Sequence, residues 1–444
     1  MGYYDEYRSK LRTPEEAVKA VKSGDWVDYS CSEGYPVLLD RALSKRKDEL
    51  TDVKFRGLII NRPLEVVECD PQREHFIYNS WHMSGYERKL CDKGLCNFMP
   101  MLFRYLPSYY RNYIKVNVAM MAVTPMDKNG YFGFSFNNAY ARAVMDAADI
   151  VILEVNEKLR WVPGLENCIH ISEVDAVVEG EHEDFVNLPT ASPTEIELQI
   201  AKTIVGQIED GSVLQLGAGS MPDTIGTLIA KSDLKNLGVH SELLVNANLE
   251  MWKAGKLTNS SKTGPYNGKS VFGIAYGSQE LYDWTAENNG VLAHTIDYIN
   301  DPVVVAGIDK FVSINNCIGV DMYGQVSSES VGKRHISGTG GQLDFLQGGY
   351  DGKTANSFIA FSSTFSDKKG VMHSRIVPSF NGDIITDPRS QTFNLVTEYG
   401  IENFTGCTTW ERAEKLVNLA HPDFREELIQ SAEELGIWRH TNKR

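Results

Sequence analysis

The chain carries one plan twice. Thr13-Pro14-Glu15-Glu16 and Ser192-Pro193-Thr194-Glu195 share an arrangement that starts helices: a hydroxyl residue as N-cap, proline at the first helical position and glutamate at the third. Apolar residues follow at helical spacing, Ala17, Val18 and Val21 in the first copy, Ile196, Ile200 and Ile204 in the second. Each helix stops at a turn, Ser23-Gly24-Asp25 or Asp210-Gly211-Ser212. Next come strand-like runs, WVDYS and VLQLG. Then Ser32-Glu33-Gly34-Tyr35-Pro36 and Ala218-Gly219-Ser220-Met221-Pro222 lead into further helices, from Val37 and Thr224. A later pair of turns, Asp127-Lys128-Asn129-Gly130 and Asp321-Met322-Tyr323-Gly324, lies 103 residues after Gly24 and 110 after Gly211. Short turns resemble each other by chance, but four matched pairs in the same order do not. The pattern predicts an ancient duplication.

A length of 444 residues also exceeds what one hydrophobic core usually supports. The expectation is two tandem, structurally similar open α/β domains, 1–190 and 191–444, joined near Leu188–Pro193. Strand runs such as VAMMAV from Val118, IVILEV from Ile150, VLQL from Val213 and FIAF from Phe358 alternate with helices. That alternation favours mostly parallel sheets, whose ligands gather beyond the carboxyl ends of strands.

Charge excludes several functions. A net charge of −15 disfavours nucleic acid or an anionic membrane surface as partner. No apolar run approaches the roughly 18 residues that span a bilayer, and the N-terminal residues lack a secretory pattern, so a cytoplasmic protein is expected. Seven scattered cysteines suit reduced thiols. Cys91 and Cys96, near His75 and His82, lack the second half of a zinc site, and no metal is expected.

Three segments could carry chemistry. Gly217-Ala218-Gly219-Ser220-Met221-Pro222 follows a strand and opens a helix, so its amides can face an anion at a helix N-terminus. A glycine turn serving backbone geometry alone is the plain alternative. A dinucleotide fingerprint is disfavoured, since Pro222 stands where the third glycine belongs. Glu242, in Leu237-Gly238-Val239-His240-Ser241-Glu242-Leu243-Leu244, lies 25 residues after Gly217 and just past a β-like run. A single glutamate is most often a solvated surface group, but its apolar flanks argue against a fully exposed loop. Third, Ser337-Gly338-Thr339-Gly340-Gly341-Gln342-Leu343-Asp344-Phe345 has glycine amides that can form an anion-binding nest. Its Gln-x-Asp-Phe ending suggests a positioned loop rather than a floppy linker.

Together these segments resemble the acetyl-CoA hydrolase/transferase family. The matching pieces are LQLGAGSMPD from Leu214, LGVHSELL from Leu237 and SGTGGQLDF from Ser337, with YGSQELYDW from Tyr276, SINNCIGVDMYGQVSSES from Ser313 and VTEYGIENFTG from Val396. NSWHMSGYERK from Asn79 and ILEVNE from Ile152 add the first half, so the resemblance runs nearly the length of the chain.

The resemblance implies a CoA-transferase fold in both domains, with the catalytic glutamate and most of the CoA contacts on the second and the acyl pocket closed by the first. It implies transfer of CoA between a short-chain acyl-CoA, butyryl or 4-hydroxybutyryl, and acetate. Glu242 would be the nucleophile, passing through an acyl–glutamyl anhydride and a glutamyl-CoA thioester. Amides at Gly217, Ala218, Gly219, Gly338, Gly340 and Gly341 would bind CoA or the oxyanion. Gly277 would lie against CoA, while Asn315 and Glu398 would support Glu242 or the acceptor carboxylate. His240 need not be catalytic, and NSWHMSGYERK is a candidate lining of the acyl pocket. No permanent cofactor is implied; CoA and acyl-CoA are substrates, and a homodimer or homotetramer is the expected assembly. Three rivals stand beside this reading: an acyl-CoA hydrolase using the same Glu242, an NAD-dependent oxidoreductase, and a non-catalytic acyl-CoA sensor.

Overall fold

A computed structural model of the chain describes residues 2–186 and 192–438, so the expected junction near Leu188–Pro193 lies largely outside the described residues. Two compact units emerge. One comprises Met1–Pro189 and Val271–Ile299, the other Thr190–Ser270 and Asn300–Arg444. Segment 271–299 thus departs from a single cut near 190. It is tied to the first unit by the Ala139 N–H on the Gly273 carbonyl (3.1 Å) and the Leu165 N–H on the Ala293 carbonyl (3.0 Å). The Tyr282 ring also stacks on Phe136 with centroids 4.2 Å apart. These partners are more than 100 residues apart in sequence, so no local pattern announces them.

In the first unit the central sheet contains β1 (Leu11–Arg12), β2 (Trp26–Cys31), β3 (Val53–Leu58), β4 (Phe76–Ser80), β5 (Cys96–Phe98), β6 (Val116–Val123), β7 (Ala148–Val155) and β8 (Ala176–Glu179). Their order is β1-β8-β7-β6-β2-β3-β4-β5, and every neighbouring pair is parallel. In the second unit β9 (Val213–Leu216), β10 (Gly238–Leu244), β11 (Phe311–Asn316), β12 (Asn356–Ala360), β13 (Asn394–Thr397) and β14 (Gly400–Asn403) run in the order β10-β9-β11-β12-β13-β14. Here only the terminal hairpin, β13 with β14, is antiparallel. The path around the central strand is the same in both. The first long strand, β2 or β9, sits centrally and the next, β3 or β10, lies on one side, with β4 and β5 continuing beyond β3. The other side is filled by β6, β7 and β8 in the first unit and by β11, β12 and β13 in the second. Strands buried on both faces read as continuous apolar runs, and Val213–Leu216 is buried throughout.

The repeated sequence signals build repeated local structures. Asp127 Oδ1 accepts the N–H groups of Asn129 and Tyr131 at 2.9 Å, and Asp321 Oδ1 accepts those of Tyr323 (3.1 Å) and Gln325 (2.9 Å). Gly130 and Gly324 close these turns at φ of 86° and 82°, which glycine adopts without steric cost. The first helix cap is Thr13, with Glu16 completing a capping box. In the second copy the cap is Thr194 rather than Ser192, because Glu197 lies three residues on and returns the bond; the helix is Glu195–Val205. A second shift concerns the helix after β9. It starts at Ser220 rather than Thr224, and Pro222 is absorbed in the first turn, where an N–H is not needed.

Candidate active site

Glu242 is the fifth residue of β10, near the carboxyl end of a parallel strand. Side chains alternate along a strand, so His240 and Glu242 share a face. His240 is buried and its ring meets Phe311 edge-on, 6.4 Å between centroids, so it packs rather than reaching outward. Two residues later Glu242 emerges from the packed layer and is only partly exposed.

Two donors meet its carboxylate. Asn300 Nδ2 donates to Glu242 Oε2 at 2.7 Å, and the Gly341 backbone N–H donates to the same carboxyl group. Gly341 stands just ahead of the ten-residue helix Gln342–Asp351, so the positive end of that helix also faces the acid. The backbone comes so close that a β-carbon at Gly341 would stand 2.0 Å from Asn300 Nδ2 and 2.4 Å from Glu242 Oε2. Burial opposes ionisation more strongly than the donors favour it, and the carboxyl pKa is pushed up to about 7 from an ordinary 4.5. The result is a partly desolvated, unusually basic carboxylate with two donors already aimed at it.

The other sequence candidates fall into distinct groups. Gly338, Gly340 and Gly341 all belong to the loop before that helix, with Gly340 in the left-handed region at φ 59°. Asn315 is buried on β11, where it exchanges hydrogen bonds with Gln215 (3.1 and 3.3 Å) and donates to Ser313 Oγ at 2.9 Å. Its place is beneath the β9 turn, since a β-carbon on Gly217 would lie 3.9 Å from Asn315 Oδ1. The Gly217 N–H is taken by the Ile314 carbonyl at 3.2 Å, which leaves Ala218 and Gly219, both exposed, as the outward part of that turn. Gly219 has φ 119° and caps the following helix.

Glu398 accepts from Ser363 through both oxygens, from the N–H at 2.9 Å and from Oγ at 2.5 Å. Gly277 belongs to the other unit, where its N–H donates to the Tyr282 hydroxyl at 3.2 Å. In the NSWHMSGYERK segment, Ser80, Trp81, Met83 and Glu87 are buried, and Glu87 takes the Ile60 N–H (3.0 Å), the Ser84 N–H (2.8 Å) and the Tyr78 hydroxyl (2.6 Å). Those residues serve the core of their own unit. Among the described residues no group of three or more His, Cys, Asp or Glu could hold a metal ion.

Asn300 was not visible in the sequence as a site residue. Its position directly before Asp301-Pro302, where Asp301 caps the short helix Pro302–Ala306, is the one local hint that the chain presents it at a fixed angle.

Residues 1–188 match the acetyl-CoA hydrolase/transferase N-terminal domain, and residues 277–432 match the C-terminal domain of that family. The chain belongs to the acetyl-CoA hydrolase/transferase family. It is 47% identical over 447 residues to the butyryl-CoA:acetate CoA-transferase of Anaerostipes caccae, covering 100% of both chains. It is 36% identical to the 4-hydroxybutyrate coenzyme A transferase of Clostridium kluyveri, covering 97% of this chain and 98% of the relative. Among solved structures, RipA from Yersinia pestis superposes with a TM-score of 0.91 at 32% identity, covering 99% of this chain and 100% of that one. Fold and family therefore agree with the expectation drawn from the sequence motifs.

Proposed function

We propose that the chain is a CoA-transferase that moves CoA between butyryl-CoA and acetate, with Glu242 as its nucleophile. The observation that carries this reading is the Glu242 carboxylate itself, raised to a pKa of about 7 and held by Asn300 and the Gly341 N–H. A carboxylate of higher basicity is a better nucleophile, and one partly stripped of water has less solvation to lose on attack.

The chemistry then follows in four additions. Glu242 adds to the thioester carbonyl, the C–S bond breaks, and the products are an acyl–glutamyl anhydride and CoA thiolate. The thiolate adds to the glutamyl carbonyl and expels the first acid as its carboxylate, leaving a glutamyl-CoA thioester. Acetate adds to that thioester and displaces the thiolate. Finally the thiolate attacks the acetyl carbon of the new anhydride and regenerates Glu242. No proton needs to move, so no paired base is required. Each addition to the glutamyl carbonyl places negative charge on the carboxyl group that Gly341 and Asn300 already face. A preorganised donor of this kind is worth about 10²–10³ in rate.

Butyryl is favoured over 4-hydroxybutyryl by the higher identity, 47% against 36%, to the relative whose name carries it. Two measurements test the reading. Incubation with butyryl-CoA followed by borohydride or hydroxylamine and mass spectrometry should modify Glu242; active turnover with Glu242 unmodified would overturn the mechanism. Free CoA release should be slow without acetate, and equally fast release with no acceptor acid would make the chain a hydrolase instead.

A further inference from the structure

The loop that brings Gly341 to Glu242 rests on two buried acids. Gln342, the first residue of the helix, spends its side-chain amide on partners other than Glu242. Its Nε2 donates to Asp387 Oδ2 at 2.5 Å and to Ser328 Oγ at 2.8 Å. Ser328 is itself fixed: its hydroxyl donates to the Asn316 carbonyl at the end of β11 (3.3 Å), and its N–H donates to Thr386 Oγ1 (2.9 Å). At the other end of the loop the Ser337 hydroxyl donates to the Ser328 carbonyl (3.1 Å), the Ile336 N–H donates to the Glu329 carbonyl (2.8 Å), and Thr339 hydrogen-bonds the Glu329 side chain.

This arrangement is costly. Asp387 and Glu329 are 0% and 4% exposed, they repel each other, and Asp387 Oδ1 and Glu329 Oε2 have no hydrogen-bond partner. Burial pushes both carboxyls up, Asp387 to about 7. Apolar residues of similar size would fill the space at lower cost, so packing alone does not account for the pair. What the acids reach is a loop whose adjoining amide touches the nucleophile: one residue, Gly340, separates Gly341 from Thr339, and Gln342 follows Gly341 directly.

We propose that Asp387, acting through Gln342, is a positioning residue that aims the Gly341 N–H at Glu242, with Glu329 and Thr339 steadying the other end of the same loop. The inference rests on Glu242 being the nucleophile. A donor aimed by a single side-chain strut is sensitive to its loss, since displacement by about 1 Å can cost on the order of 10² in rate.

The test uses the full-length enzyme. Gln342→Ala and Asp387→Ala should each lower kcat by about 10- to 100-fold with the KM for acyl-CoA changed less than about 3-fold. The double variant should be no worse than the poorer single one, because both remove the same strut. Asp387→Asn keeps an acceptor oxygen for Gln342 and should retain most of the rate. Thermal unfolding of each variant separates misfolding from misalignment, and kcat is taken per folded molecule. Full kcat in both alanine variants, losses that multiply in the double variant, or an Asp387→Asn loss as large as that of Asp387→Ala would overturn the proposal. Labelling of wild-type Glu242 by butyryl-CoA and borohydride distinguishes the two levels. An unlabelled Glu242 overturns the nucleophile reading and this inference with it, whereas a labelled Glu242 with unaffected variants overturns the inference alone.

Discussion

Around their central strands, β2 and β9, the two sheets correspond, yet their equivalent positions hold opposite kinds of residue. With Gly24 matched to Gly211, Trp26 answers to Val213; these pair with Lys54 and Gly238, so Glu242 on β10 answers to Leu58 on β3. The same register carries Asn315 on β11 onto Met121 on β6. Leu58 and Met121 are 0% and 1% exposed, ordinary core residues. Gln215, which pairs with Asn315, answers to Asp28, which instead holds Arg56 at 2.7 Å in a buried ion pair. The architecture thus accepts either solution at the carboxyl ends of its central strands. One copy fills them for packing, the other keeps a partly exposed carboxylate there. Chemistry is a property of the site and not of the fold that bears it.

The sharpest way to break that contrast is to truncate the matched pair. Glu242→Ala should lower kcat by at least about 10⁴-fold without loss of stability at neutral pH. Leu58→Ala should cost about 2–5 kcal/mol of stability, read from chemical denaturation, while folded enzyme still labels at Glu242. Loss of labelling in folded Leu58→Ala would mean the two copies do not divide the work this way. Gly341→Ala comes next. Its methyl group has no room beside Asn300 and Glu242, and kcat should fall about 10²–10³-fold with the melting temperature nearly unchanged.

Asn300→Ala should cost about 10- to 100-fold, the range expected for a hydrogen bond to a charged group. The direction of its pH effect is fixed. Asn300 stabilises the ionised form of Glu242, so its removal should move the rising limb of kcat/KM, near pH 7 in the wild type, to higher pH.

The smallest effect concerns stability. The folded pKa of Glu242 lies above the ordinary 4.5, so the unfolded chain ionises first and its share of stability declines as pH rises from about 4.5 to about 7. Glu242→Gln should therefore melt with the wild type near pH 4 and above it at pH 8, by about 1–3 kcal/mol. A variant that gains nothing at pH 8 would show that the carboxylate is not held against its preference.

How far these features were legible depended on the distance between the residues that make them. The Asp127 and Asp321 turns and the strand–glycine–helix units are built within a few residues, and their signals survived in both copies. Where two local signals competed, sequence alone chose wrongly: Ser192 and Thr194 are both good caps, and only Glu197 returning its bond decides between them. Likewise Pro222 looked like a barrier ahead of a helix, though a first turn admits it. Glu242 itself emerged through motif resemblance rather than from any local property. Its contact with Asn300 joins residues 58 apart in sequence, and the strut from Gln342 to Asp387 joins residues 45 apart. Such pairs leave no periodicity to detect. Gly277 and segment 271–299 illustrate the same limit at the level of whole units.

Gly341 has one more consequence. Its φ of −106° is open to any amino acid, so backbone geometry does not demand glycine there; the demand comes wholly from the space occupied by Glu242 and Asn300. Every one of the other nineteen residues brings a β-carbon, and so every amino-acid substitution at this position lands on the same obstacle. In a saturation library, position 341 should sort apart from the structural glycines. Its substitutions would pass a screen for folded, abundant protein and fail a screen for growth on the reaction. That pairing of outcomes would mark this position as an evolutionary dead end for activity in a scaffold that remains free to drift.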